Sequence, residues 1–332
     1  MSQMNQLARM LGARHPILLA PMDVVSGSRL TAAVSRAGGF GILGGGYGER
    51  GWLVRELQAL RGTPGWDGTP FGVGFITWSL AKRPELLDVA LEARPRAVML
   101  SFGDPRPFAP AIKKAGALLV CQVQSEAMAE EALSAGADVL VAQGTEAGGH
   151  GADRGTFDLV PAIVDLAARR VPVVAAGGIA DGRGFVAARM LGAAGILMGT
   201  RFYASVEADG ADDAKRRICA AKGGDTIRSI IFDISRNNVW PSPFTGRCLV
   251  NDHVRRWRGR EVEMLQQVAT VASEYDAAKA AGNFDVAAVI AGEAVSLVHD
   301  IAPAATIIQR IVSEADAIWR DRHNSIEAGP SS

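Results

Sequence analysis

The stretch Thr145-Glu146-Ala147-Gly148-Gly149-His150-Gly151 carries the clearest chemical signal in the chain. A glycine pair leaves the backbone bare just ahead of a histidine, so a ligand can approach the chain closely while the imidazole stays within reach. A free imidazole titrates near pH 6.5, which suits it to moving protons at neutral pH. His150 is therefore the candidate catalytic residue. His15, His253, His299 and His323 lack such a setting. Asp153 and Arg154 follow closely and are read either as partners that orient His150 or as a solvated ion pair, and Glu146 as a brace for the loop.

Two further glycine clusters, Gly177-Gly178 and Gly199 before Thr200, each end an apolar run. Backbone N–H groups exposed by such clusters, beside a helix N-terminus, suit a phosphate monoester. The three cysteines, Cys121, Cys219 and Cys248, are odd in number and far apart, which fits neither a disulfide framework nor a zinc site. No metal is expected. None of the three falls in a loop that would supply a nucleophile of the inosine-monophosphate-dehydrogenase type.

These residues need elements to place them. Apolar runs rich in Val, Ile and Leu recur at 16–21, 40–44, 71–76, 96–102, 118–123, 139–144, 171–176 and 195–199. Most are apolar throughout, as expected of parallel strands covered on both faces. Helical patterns lie between them, for example 28–37, 125–135 and 181–191, with Ser125 and Asp181 placed as N-caps. Gly38, Gly116, Gly136 and Gly192 stand where helices should end. The phrases AGGFGIL, AGALLV, AGADVLV and GAAGILM repeat the same helix-to-strand joint. The pattern predicts an α/β fold, a (β/α)8 barrel over 1–205, followed by a helical cap over 206–322 whose last helix closes the barrel, and a frayed tail over 323–332. A doubly wound sheet would call for a G-x-G-x-x-G turn after the first strand, and Pro21-Met22-Asp23-Val24-Val25-Ser26 offers none.

Lysine plus arginine equals aspartate plus glutamate at 35 each, so no net field draws the protein to nucleic acid or an anionic membrane. A hydrophobic fraction of 48% allows a large core, yet no run approaches the roughly 20 apolar residues of a membrane span. The first residues lack the apolar core of a signal peptide. A small-molecule ligand and a cytoplasmic location are the expectation.

The phrases PILLAPM, VAQGTEAGGHGA, VPVVAAGGIADGR and GAAGILMGTRF, with NNVWPSPFTGR and AGEAVSLVHDI more weakly, resemble the nitronate monooxygenase family, formerly the 2-nitropropane dioxygenases. The resemblance implies an FMN-binding barrel that oxidises alkyl nitronates with dioxygen to a carbonyl compound and nitrite; a homodimer is allowed for. It would place Ala20, Pro21, Met22 and Gly74 against the flavin, Gln122 and Gln143 at its polar edge, Gly148 beside it, and Gly177, Gly178, Gly199 and Thr200 around its phosphate. Three positions depart from well-known members: Gly74 stands for asparagine, Gln122 for lysine, and Gly151 for arginine or proline. Glu293 is read as capping the site or as structural, and Trp240 and Phe244 as pocket walls or core. An NAD(P)H-dependent flavin reductase of quinones or enoyl thioesters, and a non-catalytic flavin-binding protein, are the alternatives.

Overall fold

A computed structural model describes residues 3–66 and 68–327. Its strands are β1 Ile17–Leu19, β2 Gly41–Gly44, β3 Phe71–Ile76, β4 Ala97–Ser101, β5 Leu118–Val123, β6 Val139–Gln143, β7 Gly149–Gly151, β8 Val173–Ala176, β9 Gly195–Met198, β10 Thr226–Ser229 and β11 Thr245–Leu249. Eight of them pair in parallel in the order β1-β9-β8-β6-β5-β4-β3-β2. Phe40, just ahead of β2, bridges Leu18, with Leu19 N donating to Phe40 O at 3.0 Å, and so closes the sheet into a barrel. Each of the eight runs read from the sequence forms one of these strands.

Side-chain alternation sorts each strand into an outward face, packed under the surrounding helices, and an inward face. Leu18, Ile42, Ala97, Met99, Val120, Val139, Val141, Val174 and Leu197 face inward and form the barrel's own core. Leu7 and Leu11, from the helix Gln3–Leu11, join that core and stop the lower end. At Gly195 a side chain would sit 2.8 Å from Leu7 and 2.5 Å from the Pro16 carbonyl, so the plug needs glycine there.

The caps are where the sequence puts them. Ser125 accepts from Met128 N and Asp181 from Gly184 N, while Gly38, Gly116, Gly136 and Gly192 take left-handed φ just past their helices. The helix Ala304–Glu327 packs on Ser28–Arg36 and Gly182–Met190, with Gly182 lying so close that a Cβ would meet Ala315 N at 2.6 Å. Residues 328–332, part of the tail expected to fray, lie outside the described residues.

The excursion after β9 is not helical throughout. β10 and β11 pair antiparallel, and β11 pairs with β7, which belongs to the barrel loop carrying His150. A separate cluster of Ile231, Phe232, Val254, Trp257, Met264, Val271 and Tyr275 supports this sheet. Among the described residues no helix is long and apolar enough to cross a membrane.

Candidate active site

The inward parity that places Leu18, Met99, Val120, Val141 and Leu197 in the barrel core puts Ala20, Gly44, Gly74, Ser101, Gln122, Gln143, Ala176 and Gly199 in the ring above it. The ring is uneven. From β8 through β9 and β1 to β3 it carries only small residues, which make a low shelf, while β5 and β6 raise two amides beside it. A flat ring with a polar edge fits such a surface. Pro21 lies over the shelf: a Cβ at Gly74 would meet its ring at 2.4 Å, so the departure from asparagine at 74 makes room for this proline. The position a Cβ would take at Gly199 lies 3.6 Å from both Ala20 Cβ and Met22 Sδ.

Gly177 and Gly178 adopt φ of +106° and +71°. A Cβ at Gly177 would meet Thr156 Oγ1 at 2.7 Å, so the turn is both left-handed and closely covered. Glu146 secures that cover by accepting from Thr156 N and Thr156 Oγ1, which is the bracing role its position suggests. The helix N-terminus expected beside the phosphate site is already taken at Gly182–Met190. Asp181 accepts from Gly184 N and Glu314 from Gly182 N, and two carboxylates there repel a phosphate. The backbone still open to a ligand is then the Gly177-Gly178 turn and Gly199-Thr200, where the short helix Thr200–Tyr203 begins.

Gly148 answers a packing need: a Cβ there would sit 2.6 Å from the Ala291 backbone. The 291–293 segment lies over the loop, Glu293 N donating to Glu146 O at 2.9 Å and Gly292 N to Thr200 Oγ1 at 2.9 Å. The Glu293 carboxylate pairs with Arg247 at 2.9 Å. Arg247 also donates to Thr145 O, and Arg228, across the β10–β11 ladder from it, donates to Thr145 Oγ1 and to the carbonyls of Thr145, Ala147, Gly149 and Thr245. Burial and the adjacent Arg247 lower the Arg228 guanidinium to about 10.

His150 is not in an open loop. It lies in β7 opposite Gly246, is 9% exposed, and stacks on Trp240 with ring centroids 3.4 Å apart and planes 6° from parallel. Its Nε2 lies 2.9 Å from Asp233 Oδ1, and no hydrogen bond reaches Nδ1 from the described residues. Burial pushes the imidazole below its ordinary 6.5, and Asp233 restores only part of the loss. His150 is therefore neutral at pH 7. A carboxylate only accepts, so Nε2 carries the hydrogen and Nδ1 the lone pair. Neither Asp153 nor Arg154 orients it: Arg154 instead pairs with Glu126 and Asp158.

Gln143 Nε2 donates to His150 O at 3.1 Å, and Gln143 Oε1 accepts from Gln122 and Gln124. Above these amides Trp240 meets Tyr47, Trp78 and Phe102 edge to face, Phe102 meets Phe244, and Trp240 Nε1 donates to Tyr47 OH. Trp240 is buried within this aromatic group, and Phe244, buried as well, also lines a cavity beside it.

The family model for nitronate monooxygenase matches residues 4–79 and 73–314. The chain belongs to the nitronate monooxygenase family. It is 36% identical to a nitronate monooxygenase of Metarhizium robertsii, with 91% of each chain covered. Among solved structures it is similar to FabK from Thermotoga maritima, with a TM-score of 0.84 at 31% identity over 96% of this chain and 98% of that one. It is also similar to a nitroalkane oxidase from Streptomyces ansochromogenes, with a TM-score of 0.78 at 26% identity over 93% and 98%. The chain is an oxidoreductase.

Within this nitronate monooxygenase family fold, Ala20, Pro21, Met22, Gly74, Gln122, Gln143, Gly177, Gly178, Gly199, Thr200 and His150 all come to the same end of the barrel. Sequence reasoning missed Asp233, Arg228 and Gln124. Gln124 had a signal, since it shares the inward parity of Gln122 two residues earlier. Asp233 had none, standing 83 residues from the histidine it holds.

Proposed function

We propose that this enzyme uses FMN to oxidise alkyl nitronates with dioxygen to a carbonyl compound and nitrite, and that it also accepts neutral nitroalkanes because His150 removes their α-proton. The carrying observation is the state of His150, a neutral imidazole with Nε2 committed to Asp233 and no hydrogen bond reaching Nδ1 from the described residues. A neutral base of this kind takes a proton; it does not act as a standing cation for an anionic substrate. That favours proton abstraction over charge stabilisation as its role.

The small-residue shelf and its amide edge fit a flavin, and the left-handed glycine turn under Thr156 fits its phosphate. Gly177, Gly178, Gly199 and Thr200 would hold the phosphate, Ala20, Pro21, Met22 and Gly74 the ring, and Gln122 and Gln143 its polar edge. When bound, FMN would supply the electron transfer between nitronate and dioxygen. The protein's own share is position, exclusion of water by Trp240 and its aromatic neighbours, and proton removal at His150 Nδ1.

The test starts from a visible spectrum of the protein as purified, which should show oxidised flavin. Oxygen uptake on addition of propyl-2-nitronate, with no nicotinamide present, is the expected outcome. Anaerobic bleaching by NADH or NADPH, without nitronate-dependent oxygen uptake, would replace this reading with a nicotinamide-dependent flavin reductase.

A further inference from the structure

A cavity of about 180 Å³ opens beside the amide edge, at the C-terminal ends of β4 and β5. Leu100, Phe102, Met128, Ala132 and Phe244 make its walls apolar, and Gln122 and Gln124 line its inner end. Asp104, half-buried, and Glu131, exposed, stand at its rim. Phe102 and Phe244 are shared with the aromatic group that covers His150, so the cavity continues the catalytic mouth sideways.

The polarity at the inner end is fixed by a chain of hydrogen bonds that begins at a backbone carbonyl. His150 O can only accept, so Gln143 must present its NH2 group to it and turn Oε1 the other way. That oxygen then demands donors, and both Gln122 and Gln124 present theirs, at 3.1 and 2.8 Å. Each of these glutamines therefore aims an oxygen elsewhere. Gln124 is 2% exposed, and its Oε1 is buried with no partner. A buried acceptor left unpaired is costly, and a ligand that donates to it recovers that cost.

We infer that the cavity receives the uncharged end of the substrate, an apolar ring or short chain carrying a hydroxyl or amide N–H that donates to Gln124 Oε1. A dry cavity of about 150 Å³ holds benzene, so this one takes a group of that size. The apolar walls penalise a charge of either sign that finds no partner there, and at the rim Asp104 is already paired with Arg106 at 2.8 Å. The inference rests on the nitronate reading only in taking the other end of the same molecule to be the nitro group.

Calorimetric titration of the protein as purified separates the two. Benzyl alcohol should bind about tenfold more tightly than benzyl methyl ether, which has the ring but no donor, while benzoate should give no signal. Gln124→Leu should bring the alcohol and the ether to equal affinity. Met128→Trp, which fills the cavity, should abolish both. Against a nitronate substrate, benzyl alcohol should raise KM and leave kcat alone. Equal binding of alcohol and ether by the unaltered protein, or tighter binding of benzoate or benzylammonium, overturns the inference; so does inhibition that lowers kcat with KM unchanged. Selective alcohol binding by a protein that oxidises no nitronate would sink the nitronate reading and leave the cavity's preference standing.

Discussion

The barrel rim and the small sheet beside it solve different problems. At the rim, shape comes from absent side chains: Gly74 admits Pro21, Gly177 admits Thr156, and the shelf is low because Ala20, Gly44, Ala176 and Gly199 leave it so. In the small sheet, position comes from charge. Asp233 holds His150, and the paired cations Arg228 and Arg247 gather the loop carbonyls between residues 145 and 149. The rim would thus set what binds, and the sheet would set where the proton acceptor stands. Damage to one should leave the other's signature intact.

The sharpest break is His150→Ala. Turnover of neutral nitroethane should fall by about 10²–10⁴-fold, with flavin absorbance retained, while the preformed nitronate should suffer much less. Equal losses on both substrates would remove proton abstraction from the role of His150. Next, Arg228→Met strips donors from the half-buried carbonyls of Thr145, Ala147 and Gly149 and should cost about 1–3 kcal/mol of stability. Activity should drop with it while bound flavin remains, as read by thermal melts and by absorbance of the folded fraction.

Asp233→Asn should lower kcat/KM on nitroethane by about tenfold. Because Asp233 raises the imidazole's proton affinity against burial, its loss should also move the acid limb of the pH profile to lower pH. A limb that stays in place would mean that another group titrates there. At the rim, Gly177→Ala places a Cβ against Thr156 in a left-handed turn and should cost about 1–3 kcal/mol. It should weaken flavin retention on dialysis and leave the pH limb unmoved.

The smallest effect is on stability against pH. Burial lowers both His150 and His253 below 6.5, so the unfolded chain binds protons that the folded one refuses. Stability should hold above about pH 7 and fall as the pH drops through 6.5, levelling only below the depressed folded values. Urea midpoints at pH 5.5, 6.5 and 7.5 would show it; a flat series would mean that the imidazoles are not shielded as the packing implies.

The barrel was legible because its strands are buried on both faces and read as unbroken apolar runs, down to the capping roles of Ser125 and Asp181. The small sheet was not. Its strands Thr226–Ser229 and Thr245–Leu249 are short and polar, with arginines at 228 and 247 where a strand pattern would want Val or Ile. Adjacency does not supply the partner: Arg154, four residues after His150, forms ion pairs with Glu126 and the helix-bound Asp158, while the partner of His150 comes from a cluster that only folding assembles.

The position that the last helix fills has a consequence for how the protein is made. Ile307, Ile308 and Ile311 join the layer outside the barrel that also holds Ile17 and Val34, near the start of the chain, and their helix packs on Ser28–Arg36. On a ribosome the first strand therefore waits, with that flank bare, until residues beyond 304 have emerged. During synthesis that flank stays open to a chaperone until the far end of the chain arrives.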